Sequence, residues 1–168
     1  MSAAAPDLTE AEERRYAELQ LLALDAARAG ETATLAPMVR AGLPVNLQDE
    51  KGNTLLMLAA YHGHAETAAL LLELGADPDR RNARGQTPLG GVAFKGYAEI
   101  AVGLLRAGAD ARADQGGGAT ALDYALLFGR AEVAEVLRRH GAGRAEKRWS
   151  WKERAFGFLF RAWKGRRG

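Results

Sequence analysis

The 168-residue chain is 48% hydrophobic and 26% charged, and 23 Lys and Arg against 21 Asp and Glu leave it at +2. That length holds one compact domain or one short array. The absence of cysteine excludes disulfides and Cys-based metal sites, and no apolar run of about 18 residues exists to form a transmembrane helix. Residues 1–7 lack the basic start and apolar core of a secretory signal, so a cytoplasmic location is the default expectation.

Thr9-Glu10-Ala11-Glu12 opens the first predicted element as a capping box, with Thr at the N-cap and Glu three positions on. The helix that follows, to about Ala29, carries Leu19, Leu22, Ala23 and Ala26 at helical spacing and a polar outer face of Glu12, Glu13, Arg14 and Glu18. It merges with a weak copy of a pattern that is clearer downstream. Ala26-Ala27 and Gly30 align with Ala59-Ala60 and Gly63 at an offset of 33, Gly42 aligns with Gly75, and Met38-Val39 take the columns of Leu71-Leu72. Residues 1–48 are therefore expected to be an N-terminal helical cap with a degenerate repeat, since arrays need atypical ends to stay soluble.

The clear copies follow in strict register. Thr54, Thr87 and Thr120 are 33 residues apart, as are Leu56, Leu89 and Leu122, then Gly63, Gly96 and Gly129, then Glu66, Glu99 and Glu132. Gly75, Gly108 and Gly141, each followed by Ala, close the units, which span about 49–81, 82–114 and 115–143. Each unit reads as two helices. The Thr hydroxyl is placed to cap the first, and Pro88 sits directly behind it at the first helical position, where a missing N–H costs nothing. This helix runs to about Tyr61, Phe94 or Leu127. The second starts near Ala65, Ala98 and Ala131, with an early Glu against the positive end of its dipole. Leu71-Leu72, Leu104-Leu105 and Leu137 supply its buried face. One pair of helices this short cannot bury its apolar face alone, so the units must stack. The last is the weakest, with Gln115-Gly116-Gly117-Gly118 at its entry and Arg138-Arg139 where an apolar residue stood before; such a unit is either an exposed end or one that something else covers.

The pattern Gly-x-Thr-Pro-Leu, Ala-Ala-x-x-Gly-His and Leu-Leu-x-x-Gly-Ala-Asp resembles the ankyrin repeat over roughly residues 20–143. It departs at Leu55, where the family prefers Pro, and at Met57, Gly90 and Asp123, which replace its usual His. The resemblance implies an all-α ankyrin-repeat solenoid that binds another protein, without catalysis or cofactor, through its concave face. It implies that His64 braces its turn by hydrogen bonding. It also places partner-binding positions on Glu50, Lys51 and Asn53, then Tyr61 and His62, then Ala83, Arg84 and Gln86, then Phe94 and Lys95, and last Ala119, Leu127 and Phe128. Tyr61, Phe94 and Leu127 share one column and form a candidate apolar ladder flanked by His62 and Lys95, although the same rings could simply pack on one another and on the turns. The chain also looks like small bacterial ankyrin proteins, some of them associated with catalases, which implies an alternative role as accessory protein to a haem enzyme, with His62 the one exposed candidate ligand.

Residues 144–168 are of another kind. Nine Lys and Arg against two Glu make this segment +7, which leaves the preceding residues at −5. All three Trp lie here with Phe156, Phe158 and Phe160. A helix would put Trp149, Phe156, Leu159, Phe160 and Trp163 on one face, with Trp151 and Phe158 widening the apolar arc. This basic aromatic C-terminal helix or tail has four readings. It folds back on the last repeat over Leu126, Val133, Val136 and Leu137; it docks into another protein; residues 146–167 lie on an anionic membrane, making the chain a peripheral membrane-surface adaptor at the inner face; or it binds nucleic acid, which the acidic body disfavours.

Catalytic and metal signatures are missing from the sequence. His62 and His64 do not face one another on a helix, Gly90-Gly91 and Gly116-Gly117-Gly118 precede no Lys-Ser or Lys-Thr of a phosphate loop, and Asp77, Asp79, Asp110 and Asp114 lack calcium-loop spacing. No enzyme is expected.

Overall fold

The computed structural model describes residues 9–142; the segment 144–168, with the basic aromatic helix expected there, lies outside them. Eight α-helices follow in order: α1 (Glu10–Ala29), α2 (Thr32–Arg40), α3 (Leu55–His62), α4 (Ala65–Glu73), α5 (Pro88–Lys95), α6 (Ala98–Arg106), α7 (Ala121–Leu127) and α8 (Ala131–Arg139). The described residues form no strand; two isolated antiparallel bridges, Gln48 with Thr54 and Asp114 with Thr120, close the entry turns of two units. The chain is an all-α solenoid. α1, α3, α5 and α7 pack side by side as one row, α2, α4, α6 and α8 as a second, and each first-row helix packs on the helix that follows it.

Local sequence accounts for the helix ends. The Thr9 hydroxyl accepts from Glu12 N–H while Glu12 returns a bond to Thr9 N–H. Thr54, Thr87 and Thr120 accept from the N–H groups of Met57, Gly90 and Asp123, so each first-row helix has one orphan donor satisfied. α3 and α5 end on Gly63 and Gly96 at φ 85° and 95°, a left-handed turn that a side chain at Cβ disfavours. α7 differs: it stops at Leu127 with Phe128 as its cap, one residue before Gly129.

The core runs in columns through the array. Ala26, Ala59, Val92 and Ala125 are buried together, as are Ala23, Leu56, Leu89 and Leu122 in the first row and Leu71, Leu104 and Leu137 in the second. Each fully buried leucine contributes roughly 2 kcal/mol from its apolar area. Leu72 and Leu105 are only half-buried, so one leucine of each pair carries the contact between rows. The expected face of α1 is also altered. Leu19 and Leu22 are 43% and 49% exposed, and the helix is buried through Ala23, Leu24, Ala26 and Ala27 instead. α1 is 20 residues long against 8 for its neighbour α3, and its N-terminal half therefore extends past the α3 helix it packs on.

Successive units are also tied by a repeating set of polar contacts. His64 Nε2 lies 2.8 Å from the Arg28 carbonyl and Arg130 Nε donates to the Phe94 carbonyl at 3.1 Å; these are the same two columns, two repeats apart. His64 thus braces its turn against the preceding helix end.

Candidate partner-binding groove

The sequence-derived positions fall into two groups, the entry-turn tips and the C-terminal ends of the first-row helices. At the tips, one acidic or amide side chain organises each turn. Asp49 Oδ1 accepts from Lys51 N–H and Asn53 N–H, both at 2.9 Å. Asn82 Oδ1 accepts from Arg84 N–H and Gln86 N–H, both at 3.0 Å. Burial pushes the Asp49 carboxyl up, but bonds from Asn53, Lys51 and Arg28 outweigh it and hold the group below the usual carboxylate value. Asn53 Oδ1 accepts from Asn82 Nδ2 at 3.0 Å, and Gln86 Oε1 accepts from the same amide at 3.2 Å. Asn53 is therefore engaged in joining neighbouring turns, and Gln86 in closing its own. The exposed tip side chains are Glu50, Lys51, Ala83 and Arg84.

The third turn is built differently. Asp114 takes over the turn, accepting from Gly116 N–H at 2.8 Å and Gly117 N–H at 3.2 Å. Gln115, in the column of Asp49 and Asn82, points inwards and is 2% exposed. Its Oε1 accepts from Thr87 N–H at 2.9 Å, and its Nε2 donates to Thr87 Oγ1 at 3.1 Å and to the Ala113 carbonyl at 3.0 Å. A Cβ on Gly90 would lie 2.5 Å from Gln115 Cδ. The missing side chain at Gly90 is thus what admits the amide. Sequence reasoning passed over Gln115, though an amide beside three glycines and opposite a helical glycine is a signal that could have found it.

At the helix ends, aromatic rings make a continuous row across three units. The Tyr61 and Phe94 rings are stacked with centroids 6.4 Å apart and planes 2° from parallel. Phe94 meets Phe128 edge-on at 4.6 Å. The third ring of the row is Phe128, and Leu127, in the column of Tyr61 and Phe94, is half-buried. α7 ends a residue early, and Phe128 turns in at its cap. Tyr61 and Phe128 remain 40% and 36% exposed. A Cβ on Gly91 would lie 3.3 Å from the Tyr61 ring, so this glycine makes room for it.

Cations flank the row. Lys95 Nζ lies 5.0 Å from the Tyr61 ring centroid, a cation–π distance. His62 sits edge-on to Tyr61 at 5.6 Å and is stacked with His64 at 6.3 Å. Burial, and then the charges of His64, Lys95 and Arg28, push the His62 imidazole below its ordinary value. Arg28 is held by Asp25 at 2.7 Å and Asp49 at 3.2 Å. The resulting surface is apolar along its centre and basic at its edge.

Among the described residues no three His, Asp or Glu are grouped to hold a metal ion, and no helix is long and apolar enough to cross a membrane. The sequence model of the family described as ankyrin repeats (3 copies) matches residues 23–115. An ankyrin repeat protein of Pseudomonas aeruginosa is 52% identical over 38 residues, which cover 23% of this chain and 22% of that protein. Ankyrin repeats are in general protein–protein interaction modules and typically non-catalytic. With the register of 33, the paired helices and the family match over more than half of its length, this chain belongs to the ankyrin-repeat family.

Proposed function

We propose that this chain is a non-catalytic adaptor or regulator that binds another protein along the ring row of Tyr61, Phe94 and Phe128, with Lys95 and His62 at its edge and the exposed tips Glu50, Lys51 and Arg84 as outer contacts. The observation that carries this is the row itself: three rings from three consecutive repeats in mutual contact, the two outer ones more than a third exposed. Rings held in place by one another lose little freedom on binding, and aromatic anchors commonly dominate interface energies. The basic edge favours a partner surface that is acidic beside its apolar anchor.

The test is capture of a partner on immobilised protein, identification by mass spectrometry, and titration of that partner against Tyr61→Ala and Phe128→Ala. Both side chains stand at the surface, so helical content should be unchanged while affinity falls at least tenfold per ring, the loss expected of an interface anchor worth about 1.4 kcal/mol or more. A partner that binds both variants as tightly as the parent would show that the row is not the binding surface.

A further inference from the structure

The C-terminal end of the array departs from the columns that run through it. In the three first-row helices that have a following neighbour, one position is alanine and fully buried: Ala27, Ala60 and Ala93. In α7 it is Leu126, and it is 53% exposed. Alanine lets the next helix approach closely; a leucine fits no further neighbour at the same packing distance, roughly 8–10 Å between axes. In the second row the column Leu72, Leu105 becomes the exposed Arg138, and Ala69, Val102 becomes the exposed Glu135. The end face is thus apolar on α7 and charged on α8. Another repeat would need both halves apolar, so the face is not shaped for one.

Val133 and Leu137 are fully buried. What remains open among the described residues is Leu126, with the exposed Arg138 and the Glu135–Arg139 ion pair, 3.0 Å, on the neighbouring helix. The described chain reaches this end with Ala142, buried against Leu137, whose carbonyl accepts from its N–H at 3.0 Å. Residues 144–168 continue from there, carry +7, and hold all three Trp and three of the five Phe.

We infer that residues 144–168, which carry all three Trp, cover the exposed Leu126 of this end face in the same molecule. Two other apolar surfaces fit this segment less well. The ring row is edged by Lys95 and Arg130, which make no ion pair among the described residues and repel a basic segment, whereas Arg139 on the last helix is paired with Glu135. The Tyr16, Leu19 and Leu22 stripe of α1 lies at the opposite end of the array, three first-row helices away, roughly 25–30 Å at the usual spacing. The end face needs no linker. The inference is independent of the groove reading, because it concerns a different surface and a different readout.

The experiment is tryptophan emission and acrylamide quenching of the full-length protein, which report residues 149–163 alone, compared with a synthetic peptide of residues 144–168. The full-length protein should emit to the blue of the peptide and be quenched less, equally across a hundredfold range of concentration. Leu126→Asp should move emission and quenching to the peptide's values with helical content unchanged. Leu126→Ala should move them part of the way, and Leu21→Asp on α1, exposed in the same way, should leave them alone. The inference is overturned by emission equal to the peptide's, by no response to Leu126→Asp, by a blue shift that grows with concentration, which would place the segment on a second copy, or by one that appears only when phosphatidylserine vesicles are added.

Discussion

Two glycines inside helices should respond in opposite directions to the same substitution. Gly103, in the middle of α6, has no atom within 4 Å of where its Cβ would lie. It borders a groove of about 400 Å³ between α4 and α6 lined by Ala65, Ala69, Leu72 and Val102. Gly103→Ala therefore meets no obstacle and should stabilise by about 0.5–1 kcal/mol, the helix preference of Ala over Gly. Gly90→Ala brings the same preference but drives its Cβ into the buried Gln115 amide. Withdrawal of that amide leaves Thr87 N–H and the Ala113 carbonyl without their bonds to it, at about 1–3 kcal/mol for each buried unsatisfied group. The net expectation is a loss of about 2–4 kcal/mol. Urea unfolding followed by circular dichroism measures both variants and a double-mutant cycle. In a Gln115→Ala background, where nothing opposes the new methyl, Gly90→Ala should become favourable by up to about 1 kcal/mol. If Gly90→Ala is as stable as the parent, or costs the same in both backgrounds, the account of Gln115 as the occupant of the Gly90 gap is wrong.

Two further outcomes can be checked on the same apparatus. Thr54→Ala removes a fully buried N-cap whose hydroxyl accepts from Met57 N–H at 3.1 Å, and should cost about 1–2 kcal/mol; an unchanged urea midpoint would refute the cap's role. The His62 imidazole is held below 6.5, first by burial and then by neighbouring cations, so the unfolded chain takes up the proton more readily. Stability should therefore be full above 6.5 and fall as pH drops through it towards the lowered folded value. His62→Gln should flatten that part of the slope between midpoints read at about pH 7.5 and about pH 5.5.

The repeat architecture was legible because it rests on short-range chemistry. The N-cap threonines, the glycines that end α3 and α5 and the second-helix starts at Ala65, Ala98 and Ala131 are set by backbone groups within a few residues, and fall where the register of 33 puts them. Burial was read less well wherever a residue's neighbour lies in another unit. Leu19 and Leu22 have helical spacing, yet spacing says nothing about where α3 ends and leaves them uncovered. Of the candidate site, Tyr61 and Phe94 could be paired by column, because equivalent positions in stacked units must be adjacent.

The rest was decided in three dimensions. Phe128, not Leu127, completes the ring row because α7 closes one residue early, a local change in capping that the column rule cannot see. Asn53 looks like a free polar tip in the sequence, but it bonds Asn82 Nδ2 across a contact that exists only once neighbouring turns stack. Gln115 reads as a loop residue until the gap at Gly90, 25 positions earlier, is brought against it. Sequence alone determined that this chain is a stack of helix pairs, since period, caps and breakers act within one unit. Which side chains are spent on holding units together, and which are left for a partner, depends on contacts between units, and those are set only by the stacking itself.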